Sequence, residues 1–214
     1  MSGVLIVSGT DTGIGKTVAA AGLAAALGAF YWKPVQAGTE EGTDSETAQC
    51  LGVPAERILS ESYRLSMPAS PHLAAQHEGR EIDPDRLALP SPRPLVVEGA
   101  GGLMVPLRTE PPWLTIDQFA IWRAPVLLVA RTGLGTINHS LLSIEALRTR
   151  GIPIAGLLFV GEPHGENERV IPALSGVANL GRIPSLDPLD ARSLTDSVKA
   201  LDLATIRAAM GLAS

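Results

Sequence analysis

Residues Gly9–Thr17, Gly-Thr-Asp-Thr-Gly-Ile-Gly-Lys-Thr, restrict the fold more than any other part of the chain. They follow Val4-Leu5-Ile6-Val7, a short apolar run with a β-branched bias and the length of one buried strand. After Thr17 comes an Ala- and Leu-rich run, Val18 to Gly28, made of strong helix formers and ended by glycine. A strand, a glycine-bearing loop and a helix opening on Lys-Thr form the context in which a backbone wraps phosphate. Amide groups in such a loop point inward at an anion. The helix N-terminus adds unpaired N–H donors and partial positive charge. Lys16 supplies a full charge for the β- and γ-phosphates, and the Thr17 hydroxyl is placed to ligate Mg²⁺. Five residues separate Gly9 from Gly15, where the common pattern has four, so the loop is a longer variant. The plainer alternative is a Gly-rich turn that only joins strand to helix.

Composition narrows the setting. A chain of 214 residues with 45% hydrophobic content is expected to form a single domain over 1–214 with a sizeable core. Net charge is −5 and no Lys/Arg-rich segment occurs, which argues against nucleic acid as a partner. The single cysteine, Cys50, offers no internal disulfide and no metal cluster; it reads as a small buried apolar residue, and a cytoplasmic setting fits. No basic stretch precedes an apolar core at the N-terminus, so no secretory signal is expected. The longest apolar run, Val18 to Trp32, is too short for a bilayer, so no membrane association is expected.

Further strands are expected at Phe30–Val35, Leu95–Val97, Pro125–Ala130, Ile154–Val160 and Val177–Ile183. Helices are expected at Ser45–Leu51, Leu114–Trp122, Ile137–Arg150, Asn167–Leu174 and Thr195–Met210. Residues 53–94 read as loop and short helices, and Met104–Pro112 as a mobile flap. Near-continuous apolar strands alternating with helices predict an α/β fold, a mostly parallel sheet with helices on both faces. Functional loops then gather at the carboxyl ends of the strands, where the motifs lie.

Glu98 ends an apolar strand and precedes Gly99-Ala100-Gly101-Gly102. A carboxylate there either holds Mg²⁺ or is a satisfied strand-end acid. Asp44, in an acidic loop, is a second ligand candidate or a solvated residue. Lys33, between an aromatic run and Pro34, either reaches water or, if its strand lies beside the first, points into the phosphate site. Gly135-Thr136-Ile137-Asn138 opens a helix and is a site for an anion or a simple cap. His72, His77, His139 and His164 lack the spacing of metal ligands and read as structural or exposed.

With these residues in place, the chain closely resembles the dethiobiotin synthetase family. The motifs, in order, are GTDTGIGKT, WKPVQAG, Thr43-Asp44, SPHLAAQHEG, VVEGAGG, GTINHSLL and GRIPSL, covering residues 9 to 186. The resemblance implies a P-loop NTPase fold and an ATP-dependent ligase. From 7,8-diaminononanoate and carbon dioxide it closes the ureido ring of dethiobiotin through a phosphorylated carbamate, releasing ADP and phosphate. Residue by residue, it implies that Thr12 and Lys33 contact the carbamate and that Lys16 contacts the phosphates. Thr17, Asp44 and Glu98 hold Mg²⁺, and Gly13, Ile14, Gly15, Lys16, Thr17 and Val18 wrap the triphosphate. Gly99, Ala100 and Gly101 continue the nucleotide site, and Ile183, Pro184 and Ser185 cradle the base. It also implies a homodimer in which Gly135, Thr136, Ile137 and Asn138 reach the partner's substrate carboxylate.

The chain departs from the family pattern twice. Ala37 stands where the family usually has Ser or Thr, removing a hydroxyl from the substrate site. Val160 falls where better-known members carry an Asn that reads adenine; valine cannot hydrogen-bond a base. Loose base selectivity is the expectation. Partitioning and metal-insertion NTPases often carry an extra lysine where this chain has Thr10 or Asp11, and they lack the SPH segment. Amidating synthetases of cobalamin biosynthesis append a glutaminase domain, which is not expected in 214 residues. A non-catalytic nucleotide-binding module is disfavoured by the intact Lys16, Thr17, Asp44 and Glu98.

Overall fold

A computed structural model describes residues 3–213. The chain opens with β1 (Val4–Gly9), α1 (Lys16–Ala26), β2 (Phe30–Trp32), β3 (Val35–Ala37) and α2 (Asp44–Cys50). Two short strands, β4 (Ile58–Leu59) and β5 (Tyr63–Leu65), and α3 (Pro71–His77) lead to the long β6 (Leu95–Gly102). A hairpin of β7 (Pro106–Thr109) and β8 (Pro112–Leu114) precedes α4 (Thr115–Trp122). Then come β9 (Val126–Arg131), α5 (Thr136–Thr149), β10 (Ile154–Val160), α6 (Gly165–Ser175), β11 (Asn179–Ile183), α7 (Ala191–Val198) and α8 (Leu203–Ala209).

Seven strands form one parallel sheet in the order β11-β10-β9-β1-β6-β2-β4. Side chains of a strand alternate between faces, and both faces are apolar here. Leu5, Val7, Val96 and Val129 pack with α1, α2, α7 and α8 on one face. Val4, Ile6, Leu95 and Val97 pack with α3, α4 and α5 on the other. Each fully buried Val, Leu or Ile contributes about 1.5–3 kcal/mol. That apolar frame offsets the cost of burying charge at the sheet's carboxyl edge.

Helix α1 lies close to the C-terminal helices because Gly22 has no side chain. A Cβ there would stand 2.7 Å from Val198 Cγ2 and 3.2 Å from Leu194 Cδ1.

The α/β architecture with helices on both faces is as expected, with local differences. The expected second strand, Phe30–Val35, is two. It breaks at Lys33-Pro34, and β3 leaves the main sheet to pair with β5. Strand β2 does not lie beside β1, because β6 stands between them. Strands β4 and β5 fall inside the region read as loop and short helices. Residues 104–112 carry most of an antiparallel hairpin. The closing helix is interrupted after Val198, and α8 restarts on Asp202, whose side chain accepts from Thr205 N at 3.0 Å. Cys50 is exposed rather than buried, because α2 turns only Ser45 and Ala48 inward.

Candidate active site

The loop after β1 is shaped by glycines that no other residue can replace cheaply. Gly15 has φ +90°, and a Cβ on it would stand 2.7 Å from Val160 Cγ1. A Cβ on Gly9 would meet Ile14 Cδ1 at 2.8 Å and Lys16 Cδ at 2.9 Å. The loop therefore folds tightly over Lys16, whose ammonium donates to the Asp11 carbonyl at 2.7 Å.

The register β1 with β6 pairs Val7 with Glu98, bringing this carboxylate to the base of the loop. Thr17, at the start of α1, has its Oγ1 2.9 Å from Glu98 Oε1 and 3.1 Å from Asp44 Oδ1. Asp44 is held there by its helix start. Thr43 caps α2 through a reciprocal box with Glu46, and Asp44 N donates to Gln36 Oε1 at 3.1 Å.

Lys33 follows the last residue of β2. Because β2 pairs with β6, Trp32 opposite Val97, Lys33 lies across from Glu98. Its ammonium donates to Glu98 Oε1 at 2.9 Å and to the Gly99 carbonyl at 3.3 Å, and forms an ion pair with Asp44. Lys33 thus reaches the cavity beside the Gly9–Thr17 loop from two strands away, without lying next to β1. Lys33 and Glu98 are both buried, at 4% and 1% exposure. Charges so deep need partners, and here each has several.

These surroundings set the protonation states. Burial pushes the Lys33 pKa down, but Glu98 and Asp44 outweigh it and raise it overall, so Lys33 is an ammonium. Burial would raise Asp44, and the Lys33 charge with hydrogen bonds from Lys33 and Thr17 brings it below the usual carboxylate value. Lys16 lies below the ordinary lysine value, first through burial and then through repulsion by Lys33. A bound polyphosphate would relieve that deficit.

Loop, strand ends and α3 enclose a cavity of about 690 Å³. Its lining holds Thr12, Gly13, Ile14, Gly15, Lys16, Thr17, Val18, Lys33, Ala37, Asp44, Ala100 and Gly101. Most of the predicted site residues therefore meet in one place. Ala37 presents a methyl group to this space. Glu98 lies behind Thr17, and Gly99 contributes the carbonyl that Lys33 reaches. Gly135, Thr136, Ile137 and Asn138 do not line the cavity of their own chain. Ile183 is buried and its carbonyl accepts from Gly161 N at 3.0 Å; Pro184 and Ser185 follow at the surface end of β11.

Residues not singled out from the sequence also belong to the site. Gln36 orients Asp44, Ser70 and Pro71 wall the cavity, and Tyr31 donates to Glu98 Oε2 at 2.6 Å. The KPVQ and SPHLAAQ motifs already contained the first three. For Tyr31 the available signal was strand alternation, which puts residues 31 and 33 on one face.

The oxygen set Thr17, Asp44 and Glu98 suits Mg²⁺, which takes one or two carboxylates and completes its shell with phosphate and water. The Lys33 ammonium already sits between the two carboxylates, so the pair is arranged around positive charge. Among the described residues no group of three or more His, Cys, Asp or Glu is placed to hold a metal ion.

A family model described as an AAA domain matches residues 3–193. Among solved structures, a plasmid partition protein from Borrelia burgdorferi aligns with TM-score 0.58 at 12% identity, covering 95% of this chain and 98% of that one. A ParA family ATPase from Chlorobium tepidum aligns with TM-score 0.54 at 13% identity, covering 98% and 99%. At such identities these neighbours speak to the fold alone. Curated relatives are far closer. The ATP-dependent dethiobiotin synthetase BioD of Brucella anthropi is 56% identical over 93% of this chain and 94% of its own length. That of Rhodopseudomonas palustris is 58% identical over 94% and 92%. Near-full-length identity of this order, together with the motifs that build the cavity, means that the chain belongs to the ATP-dependent dethiobiotin synthetase family.

Proposed function

We propose that this chain, acting as one P-loop ligase domain, closes the ureido ring of dethiobiotin from 7,8-diaminononanoate, carbon dioxide and ATP. The observation that carries the reading is the convergence of Lys16, Thr17, Lys33 and Asp44 on one cavity, with Glu98 behind Thr17 and Lys33, in a chain so similar to dethiobiotin synthetases.

The chemistry needs positioning and charge more than covalent help. One substrate amine takes up carbon dioxide as a carbamate. The carbamate oxygen attacks the γ-phosphorus of ATP, the bond to ADP breaks, and a carbamic–phosphoric anhydride forms. The second amine attacks its carbonyl carbon, phosphate leaves, and the ring closes. Gly13 to Val18 hold the polyphosphate through backbone N–H groups, with Lys16 on its oxygens. Lys33, kept charged by its carboxylates, faces the carbamate and the charge that develops during transfer. Thr12 stands at the rim for the carbamate. Thr17, Asp44 and Glu98 are the ligands for Mg²⁺, which when bound screens the phosphate oxygens.

A second hollow of about 340 Å³ shares Thr12 with the main cavity and has Leu103, Met104 and Leu142 in its wall. It suits the aliphatic part of the diamine. The carboxylate end is assigned to Gly135–Asn138 of a second subunit. Two observations support a homodimer: these residues lie outside their own cavity, and Leu134 beside them is 98% exposed. Mixing Lys33→Ala with Asn138→Ala subunits tests it. Each defect then falls on one shared site, the other site is intact, and activity returns; mixtures as dead as their parents rule shared sites out.

Base selectivity is proposed to be loose. Val160 packs on Gly15 and carries no hydrogen-bonding group, and Gly161 is already engaged through both its N–H and its carbonyl. That leaves the backbone of Pro184-Ser185 for the base. No helix among the described residues is long and apolar enough to cross a membrane, and a cytoplasmic site of action accords with a biosynthetic ligase.

The deciding experiment measures phosphate release from ATP with Mg²⁺ and bicarbonate, with and without the diamine, and follows the organic product by mass spectrometry. Diamine-dependent release with a cyclic urea product is the expected result. Release that ignores the diamine would indicate a switch-type NTPase instead.

A further inference from the structure

Glu98 is gripped by both its oxygens, and the two grips differ in kind. Oε1 faces the cavity side, 2.9 Å from Thr17 Oγ1 and 2.9 Å from Lys33 Nζ. Oε2 faces inward and receives the Tyr31 hydroxyl at 2.6 Å. Tyr31 has no exposed surface, and Glu98 is 1% exposed, so no water competes for that oxygen. The sheet builds this arrangement directly. In the β2–β6 register Tyr31 pairs with Val96 and Lys33 lies across from Glu98, so residues 31 and 33 approach one carboxylate from the same face. A phenylalanine would fill the same apolar space. The hydroxyl adds only its bond to Glu98, and Glu98 Oε2 is its hydrogen-bond partner in the structure.

A carboxylate held at one oxygen by a short, charge-assisted hydrogen bond cannot turn about its terminal torsion without breaking it. We infer that Tyr31 is a positioning residue of the reaction: its hydroxyl pins Glu98 Oε2 so that Oε1 alone is presented, in one orientation, to the divalent cation of the nucleotide. This rests on the reading of Glu98 as a cation ligand. Tyr31 itself touches neither cation nor substrate; it fixes the presentation of an atom that does.

The test is Tyr31→Phe, with Glu98→Gln beside it to probe the underlying reading. Mn²⁺ binding to the enzyme with a non-hydrolysable ATP analogue is followed by electron paramagnetic resonance, together with the Mg²⁺ dependence of turnover. Tyr31→Phe should weaken Mn²⁺ about tenfold, the size of one hydrogen bond to a charged group. The Mg²⁺ concentration for half-maximal turnover should rise to match, with most of kcat recovered at saturating Mg²⁺ and metal-free nucleotide affinity unchanged. Unaltered Mn²⁺ affinity in Tyr31→Phe, with a large loss in Glu98→Gln, overturns the role of Tyr31 while leaving Glu98 as a ligand. Unaltered affinity in both removes the ligand reading and this inference with it. Should Tyr31→Phe not fold, the wild type still decides. The chain has two tyrosines, so ring-labelled tyrosine gives two phenol signals in NMR, assigned by Tyr63→Phe. Addition of Mg²⁺ to the nucleotide complex should shift the Tyr31 signal, and a signal that does not move overturns the inference.

Discussion

The two halves of the sheet's carboxyl edge are built on opposite principles. On the side of β1, β6 and β2, five polar side chains hold one another. Lys33 bridges Glu98 and Asp44, Thr17 touches both, and Tyr31 closes the far side of Glu98. On the side of β9, β10 and β11, Val160 and glycines stand among polar side chains tied up in structural contacts: Arg182 donates to the Gly161 carbonyl and pairs with Glu168, and Asn167 donates to the Thr132 carbonyl, while Arg131 at the end of β9 is exposed. The first half has its charges placed before any ligand arrives, which is how electrostatic stabilisation avoids reorganisation during the reaction. The second half has its polar side chains committed mostly to structural contacts. Buried charge is concentrated on one half, and on the proposed reading the choice of base is left to shape and backbone.

The largest effect should come from removing the centre of the charged half. Lys33→Ala is expected to lower kcat by about 10³-fold while nucleotide Kd changes little, because the charge matters most where it develops. It also leaves Glu98 and Asp44 facing each other, so the ligand-free variant should lose thermal stability, and Mg²⁺ should restore much of it. Turnover near wild type would end the contrast between the halves.

Adding a reader to the second half comes next. Val160→Asn is expected to raise the ratio of kcat/KM for ATP over GTP by about tenfold, the value of a good hydrogen-bonded discrimination. A strong ATP preference in the unaltered chain would already show that the backbone of Pro184-Ser185 suffices.

The smallest effect is a proton. Lys16 has its pKa depressed below 10.5 in the free protein, by burial and then by Lys33. Bound phosphate favours its charged form and raises the value. Between the depressed value and the bound one, nucleotide binding takes up a proton, so affinity falls as pH rises through that window. Calorimetry in buffers of different ionisation enthalpy reads the uptake; none in alkaline buffer would mean that Lys16 stays fully charged in the free loop.

Much of the charged half could be read from residue order, because its chemistry announces itself. Lys16-Thr17 sits where a helix must begin, and Glu98 and Lys33 stand at the ends of apolar runs. What escaped had at most a faint local signature. Tyr31 looks like one more aromatic strand residue until the β2–β6 register sets it against Glu98. Strands β4 and β5 are two and three residues long, too short for any periodicity. The position of β2 beyond β6 is a choice of topology, to which no residue in β2 is a guide. The break between α7 and α8 contains neither Pro nor Gly, and its one cue is the Asp202 cap with Thr205 three residues on.

The contact of Gly22 with Val198 has a genetic consequence. Gly22 lies six residues along α1 from Lys16, about 9 Å at the rise of an α-helix. A methyl group there would meet Val198 at 2.7 Å and push against the helix that carries the loop. Gly22→Ala should therefore present as a biotin-requiring allele with weakened nucleotide binding, although neither residue touches the cavity. Selection for growth without biotin should then return Val198→Ala as a suppressor. Recovery only of changes within residues 9–17 would mean that the C-terminal helices and the loop are mechanically independent.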